Sequence, residues 1–114
     1  LGAWWERYSG LPIPLGGILG KRSLGTEILV KVEQAIRESL RYARAHPAEV
    51  LAYVKEHSQE MDEAVIQNHI GLYVNDFSRD LGGEGVAAVQ RLLAEAEERG
   101  IFPPSHMPLF AGGQ

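Results

Sequence analysis

The sequence predicts a mostly α-helical segment of an α/β protein, carrying one strand, at most two, at the edge of a ligand cleft. Three observations predict it. The run Leu15-Gly16-Gly17-Ile18-Leu19 is short, apolar and bounded by turn-formers, which suits one buried strand better than a helix. From Thr26 to Arg99, apolar residues recur at helical spacing in successive stretches. A lone strand has no partner for its ladder, so the rest of a sheet is expected in residues outside this chain.

Taken in order, Gly2 to Tyr8 reads as a short helix with Trp4, Trp5 and Tyr8 on adjoining positions, ended by Ser9-Gly10. Two indoles so near a terminus need something to pack against, and Leu1 is expected to be an internal position of a longer protein. Pro12 and Pro14 hold Leu11 to Pro14 extended, because each fixes its own φ and biases the residue before it away from helix. In the strand that follows, Gly16 and Gly17 cost stability. They are most useful where a ligand or another backbone must come close.

Ser23-Leu24-Gly25 is a turn, and Thr26 is a good N-cap with Glu27 favourably placed in the first turn. Ile28, Leu29, Val32, Ile36, Leu40 and Ala43 then mark one helix to about Ala45. His46-Pro47 breaks it, with Pro47 opening the next helix over Val50, Leu51 and Val54. Ser58 to Met61 is a connector. Asp62 caps a helix with the stripe Val65, Ile66, His69, Ile70 and Tyr73, ending near Asn75. Asp80-Leu81-Gly82-Gly83 leads to a helix from Glu84 to Arg99, with Val86, Val89, Leu92, Leu93 and Ala96 inward and Gly100 as its C-cap. The proline- and glycine-rich end from Pro103 reads as an irregular tail and a genuine C-terminus.

Composition narrows the function classes. At 114 residues, 45% hydrophobic and 23% charged, the chain has the size and balance of one soluble domain. A net charge of −4 offers no basic field for nucleic acid. The lack of cysteine removes disulfides, thiol nucleophiles and Cys-based metal sites. No run approaches the ~18 apolar residues of a membrane span, and no export signal is visible. The expectation is a cytoplasmic protein without membrane or nucleic-acid partners.

Gly16 to Ser23 is not a phosphate loop: Leu15 stands where the Walker pattern needs its first Gly, and Arg22 where it needs a hydroxyl. His46, His57, His69 and His106 lack metal-ligand spacing, so no metal is expected. His69, between Ile66 and Tyr73, reads as a hydrogen-bonded core histidine, and His57 with Glu60 as a solvated helix end. Glu95, Glu97 and Glu98 read as an exposed acidic face, and Trp4 and Trp5 as packing residues. No Ser/His/Asp arrangement is present, and no catalytic residue is assigned.

Two blocks carry a resemblance to a known family. One is Leu1-Gly2-Ala3-Trp4-Trp5-Glu6 with Gly10-Leu11-Pro12-Ile13-Pro14-Leu15-Gly16-Gly17-Ile18. The other is His69-Ile70-Gly71-Leu72-Tyr73-Val74-Asn75-Asp76-Phe77-Ser78, followed by Leu81-Gly82 and Gly85, with Ser58-Gln59-Glu60 upstream. Together they resemble the menaquinone-biosynthesis family of the futalosine pathway, from Leu1 to about Phe102. Within it they are similar to the branch that splits cyclic dehypoxanthinyl futalosine to 1,4-dihydroxy-6-naphthoate.

The resemblance implies a two-lobed, periplasmic-binding-protein-like (type II) fold with a small-molecule substrate between lobes, and a lyase reaction without cofactors. It implies that this chain is the C-terminal portion. Residues 1–20 would end the second lobe and cross over, 21–102 would complete the first lobe, and 103–114 would be the tail. The proton-accepting histidine would precede Leu1, in a missing N-terminal portion that is the chain's main partner. Of the family's pocket, Pro14, Leu15, Gly16 and Gly17 carry over as substrate-binding residues. The chorismate-dehydrating sibling branch, with a bulkier equivalent strand, a non-catalytic solute-binding lobe and a helical interaction module remain the alternatives.

Overall fold

Local signals place most of the helices. The computed structural model describes residues 1–59 and 62–111 and contains α1 (Gly2–Ser9), α2 (Thr26–Ala45), α3 (Pro47–His57), α4 (Glu63–Tyr73), α5 (Asp76–Arg79) and α6 (Gly82–Glu98). A single 3-10 turn, Arg22–Leu24, precedes α2. Glu60 and Met61 in the connector after α3, and Gly112 to Gln114 at the end of the tail, lie outside the described residues. The chain divides into two compact units, Leu1–Thr26 with the stretch from Leu81 onward, and Glu27–Asp80.

In the first unit, α1 closes at Gly10, whose φ of 70° lets its N–H turn back to the Glu6 carbonyl at 2.8 Å. Trp5 is buried, and its indole Nε1–H donates to the Pro12 carbonyl at 3.1 Å. Ser9 Oγ donates to the Trp5 carbonyl at 2.8 Å and accepts from the Leu11 N–H at 3.1 Å. The chain therefore leaves α1 along a fixed path up to Pro12. Helix α6 buries Gly85, Ala88 and Glu95, and stops where Gly100, at φ 68°, bonds back to Glu97. The sequence places the inward face of α6 on Val86, Val89, Leu92, Leu93 and Ala96. Of these, Val86, Val89, Leu93 and Ala96 are half-buried, and Leu92 is exposed.

In the second unit, Pro47 sits in the first turn of α3 as expected, where its missing N–H costs nothing. Asp62 caps α4 by accepting from the Ala64 and Val65 N–H groups at 2.9 and 3.1 Å. Asn75 and Ser78 form a reciprocal capping box that starts α5, a short helix the sequence pattern does not resolve. Ile66 is the buried apolar residue among those described in this unit, at 4% exposure. Ion pairs Arg37–Glu33, Arg44–Asp76 and Lys55–Glu63 link its surface, all in partly or fully exposed settings where such pairs contribute little.

Two expectations are corrected here. The described residues contain no strand: 15–19 form no hydrogen-bonded ladder, and Leu15, Ile18 and Leu19 are 58%, 78% and 95% exposed. The apolar pattern is compatible with a strand, but a strand exists only when a neighbouring segment supplies its ladder. His69 is exposed rather than buried, with its ring tilted 4.7 Å from that of Tyr73. The apolar stripe of α4 is only partly covered, since Val65, Leu72 and Tyr73 are themselves 48%, 57% and 54% exposed.

Ile66 and His69 lie one turn apart and are expected to respond differently. Ile66→Ala creates a cavity and should destabilise by about 2–5 kcal/mol. His69→Gln changes an exposed side chain and should stay within about 0.5 kcal/mol. Chemical denaturation of both variants checks the contrast. A larger loss at His69 would show that its imidazole is held by a buried contact.

Candidate functional site

The open segment Pro14–Gly17 begins directly after the part of the chain that α1 holds. Pro14 is half-buried, whereas Leu15, Gly16 and Gly17 are exposed. Neither Gly16 nor Gly17 has positive φ, and a Cβ built on either meets nothing within 4 Å. A tight turn or a crowding neighbour among the described residues is therefore not what requires glycine here. Leu15, Gly16 and Gly17 each carry a backbone N–H and C=O that form no ladder among the described residues, and these groups can hydrogen-bond a ligand directly.

Helix α1 is anchored on its other side by a charged cluster that the sequence reading missed. Glu95, placed by that reading on an exposed acidic face, is buried at 9% exposure. Tyr8 Oη donates to Glu95 Oε1 at 2.6 Å, across 87 positions of sequence. Arg91 donates to the same oxygen, and Arg99 reaches Oε2 at 3.4 Å through Nε and Nη2. The Arg91 guanidinium also lies 5.7 Å from the centre of the Tyr8 ring, and Trp4 stacks on the ring's face at 5.2 Å.

A signal for this cluster does exist. Glu95 is seven residues beyond the buried Ala88, hence on the same helix face, and carries an arginine four residues to each side. The tyrosine that completes it is distant in sequence. The Tyr8 hydrogen bond, then Arg91 and Arg99, hold the Glu95 carboxyl below its ordinary pKa against the opposing effect of burial.

In the second unit, a shallow, solvent-open depression of about 300 Å³ is lined by Glu38, Arg41, Tyr42 and Ala45. All four lie on α2, so the depression encloses nothing. The Tyr42 hydroxyl donates to Glu49 at 2.9 Å, which raises its pKa and opposes a role as an acid. His46 and His57 each stack on the tyrosine four residues earlier, with Nδ1 at 3.0 and 2.9 Å from that residue's carbonyl. No group of three or more His, Cys, Asp or Glu that could hold a metal occurs among the described residues. None of the described helices is long and apolar enough to cross a membrane.

Trp4, Trp5 and Gly10 to Gly17 thus form one continuous unit of helix, anchored turn and open backbone. That unit lies within the match to a known family. The family profile described as menaquinone biosynthesis matches residues 1–98, and the chain belongs to that family. A protein of Thermus thermophilus named 1,4-dihydroxy-6-naphtoate synthase is 53% identical over 110 residues, 96% of this chain and 40% of that protein. A protein of the same name from Streptomyces coelicolor is 50% identical over 103 residues, 90% of this chain and 36% of that protein. The chain therefore spans about two-fifths of the length of these relatives.

The depressed Glu95 pKa has a defined consequence for stability. A carboxyl whose pKa is lower in the folded state stabilises above its unfolded pKa, and that contribution is lost as pH falls through the folded value. Wild type should therefore melt above Glu95→Gln at about pH 7, and the gap should narrow below the ordinary glutamate value of about 4.3. Melting curves of both proteins across that range check it. A gap that is constant with pH would remove the charge of Glu95 from the interaction.

Proposed function

We propose that the chain is the C-terminal part of a cytoplasmic lyase that converts cyclic dehypoxanthinyl futalosine to 1,4-dihydroxy-6-naphthoate. Pro14, Leu15, Gly16 and Gly17 form one edge of its substrate cleft. The observation that carries this reading is the 53% identity to a relative of that name over 96% of the chain. The open backbone of 14–17 supports the placement of the cleft edge. The product is a flat, bicyclic carboxylate, and a glycine pair lets such a ring approach the main chain without a side chain in between.

In this reading the complete protein is two-lobed and resembles periplasmic binding proteins. Its remaining portion supplies the sheet partner that residues 15–19 lack in this structure, and a histidine there accepts the proton. The substrate is the small-molecule partner, and no cofactor takes part. This chain's own contribution is to bind and orient. The 114 residues alone are expected to be inactive.

Gly16→Val tests the cleft edge in the complete protein. With open space at that Cβ and no positive φ, the melting temperature should be unchanged. Affinity for 1,4-dihydroxy-6-naphthoate should fall ten- to a hundredfold, or about 1.4–3 kcal/mol. Calorimetry and a binding titration on one variant suffice. Lost stability with intact affinity would remove the segment from the cleft. Dehydration of chorismate by the wild-type protein, without turnover of the futalosine substrate, would replace the function itself.

A further inference from the structure

We propose that Tyr8 and Glu95 are positioning residues for the Pro14–Gly17 segment, acting through helix α1; the proposal rests on reading that segment as the cleft edge. The relay is short, and every step in it is local. Glu95 Oε1 accepts from the Tyr8 hydroxyl at 2.6 Å, which ties α1 to α6. Tyr8 and Trp5 are three residues apart on α1, so they share a side of the helix, with ring centres 6.3 Å apart. Trp5 in turn donates its indole N–H to the Pro12 carbonyl at 3.1 Å. Ile13 packs over the backbone of Gly2, its Cγ2 lying 3.6 Å from where a Gly2 Cβ would stand.

The prolines extend that hold. Pro12 and Pro14 each have a locked φ, and each restricts the residue before it. Between the bonded carbonyl of Pro12 and the backbone of Leu15, the φ of Pro14 is locked and Ile13 is held extended. A rotation of α1 would swing the glycine pair with it. The Tyr8–Glu95 bond resists that rotation: it is charge-assisted, partly buried, and joins elements far apart in sequence. Arg91 and Arg99 keep the carboxylate ionised and aimed at the hydroxyl.

The test uses Tyr8→Phe and Glu95→Gln, with Glu98→Gln as a control that removes one exposed charge from the same helix. The first readout is hydrogen exchange at the Trp4 and Trp5 indole N–H groups, followed by NMR in the complete protein. Trp4 and Trp5 are this chain's tryptophans, and Trp4, 52% exposed, serves as an internal reference. Both test variants should speed exchange at the Trp5 indole by about tenfold, leaving Trp4 and the control unchanged. The second readout is titration of the complete protein with 1,4-dihydroxy-6-naphthoate. Its Kd should rise about five- to tenfold in both variants, measured on folded protein at a temperature well below melting.

An unchanged Trp5 indole would overturn the relay. Faster exchange with an unchanged Kd would overturn the positioning role, because loss of general stability lowers the folded fraction without altering the affinity of what remains folded. A wild-type protein that binds no naphthoate would overturn the function proposed above, and the relay would then stand or fall on the indole alone. Where Glu95→Gln fails to fold, Tyr8→Phe, which removes only a hydroxyl, decides the question.

Discussion

A single buried carboxylate organises the first unit of this molecule. Glu95 lies on α6 among otherwise apolar or small buried neighbours, and it is the buried charged residue among those described. A carboxylate in that position is tolerated only if its lone pairs are satisfied. Tyr8, Arg91 and Arg99 satisfy them. The same bonds determine where α1 lies against α6. Trp5 then finds Pro12, and the chain leaves α1 in one direction. Replacing the carboxylate by an apolar residue would not reproduce this, since an apolar contact would hold α1 close without fixing its rotation about its own axis.

How much of this was legible in the sequence depends on how local each feature is. The end of α1 at Gly10, the break at His46-Pro47, the Asp62 cap and the stop at Gly100 all follow from the chemistry of one or two residues. They appear where the sequence places them, to within a residue or two. The strand over Leu15 to Leu19 is a different kind of expectation. A short apolar run between turn-formers describes a segment that could pair, but no neighbour among the described residues pairs with it. His69 and Glu95 were each misassigned for one reason: burial is a tertiary property. His69 sits on an apolar stripe that is covered at Ile66 but not at its own position, and Glu95 in an acidic run that packs inward at one position. Of the four proposed cleft residues, the glycine pair is readable as a place of close backbone approach, whereas the exposure of Leu15, Gly16 and Gly17 is not, because the apolar run reads as a buried strand. Their ligand is not written in their geometry.

Exposure of apolar residues has a consistent place in the proposed function. Leu1, Ile18 and Leu19 are almost fully exposed, and several aromatic residues of the second unit are about half exposed. These exposed apolar side chains are available for contact with a further segment. The relatives are about two and a half times as long as the stretch they share with this chain. In the proposed enzyme, the additional length covers these surfaces and gives residues 15–19 their ladder. The glycine pair then faces the cleft from a segment held at both ends, by α1 before it and by the sheet along it.

The central claim is that Tyr8 and Glu95 act on each other directly, and a double-mutant cycle tests it most directly. Unfolding free energies are needed for the wild type, Tyr8→Phe, Glu95→Gln and the double variant at neutral pH. If the hydroxyl and the carboxylate form one interaction, the double variant should lose clearly less stability than the sum of the two single losses. Strict additivity would mean that the two residues stabilise independently, and would contradict the account of α1 as a helix fixed in rotation by Glu95.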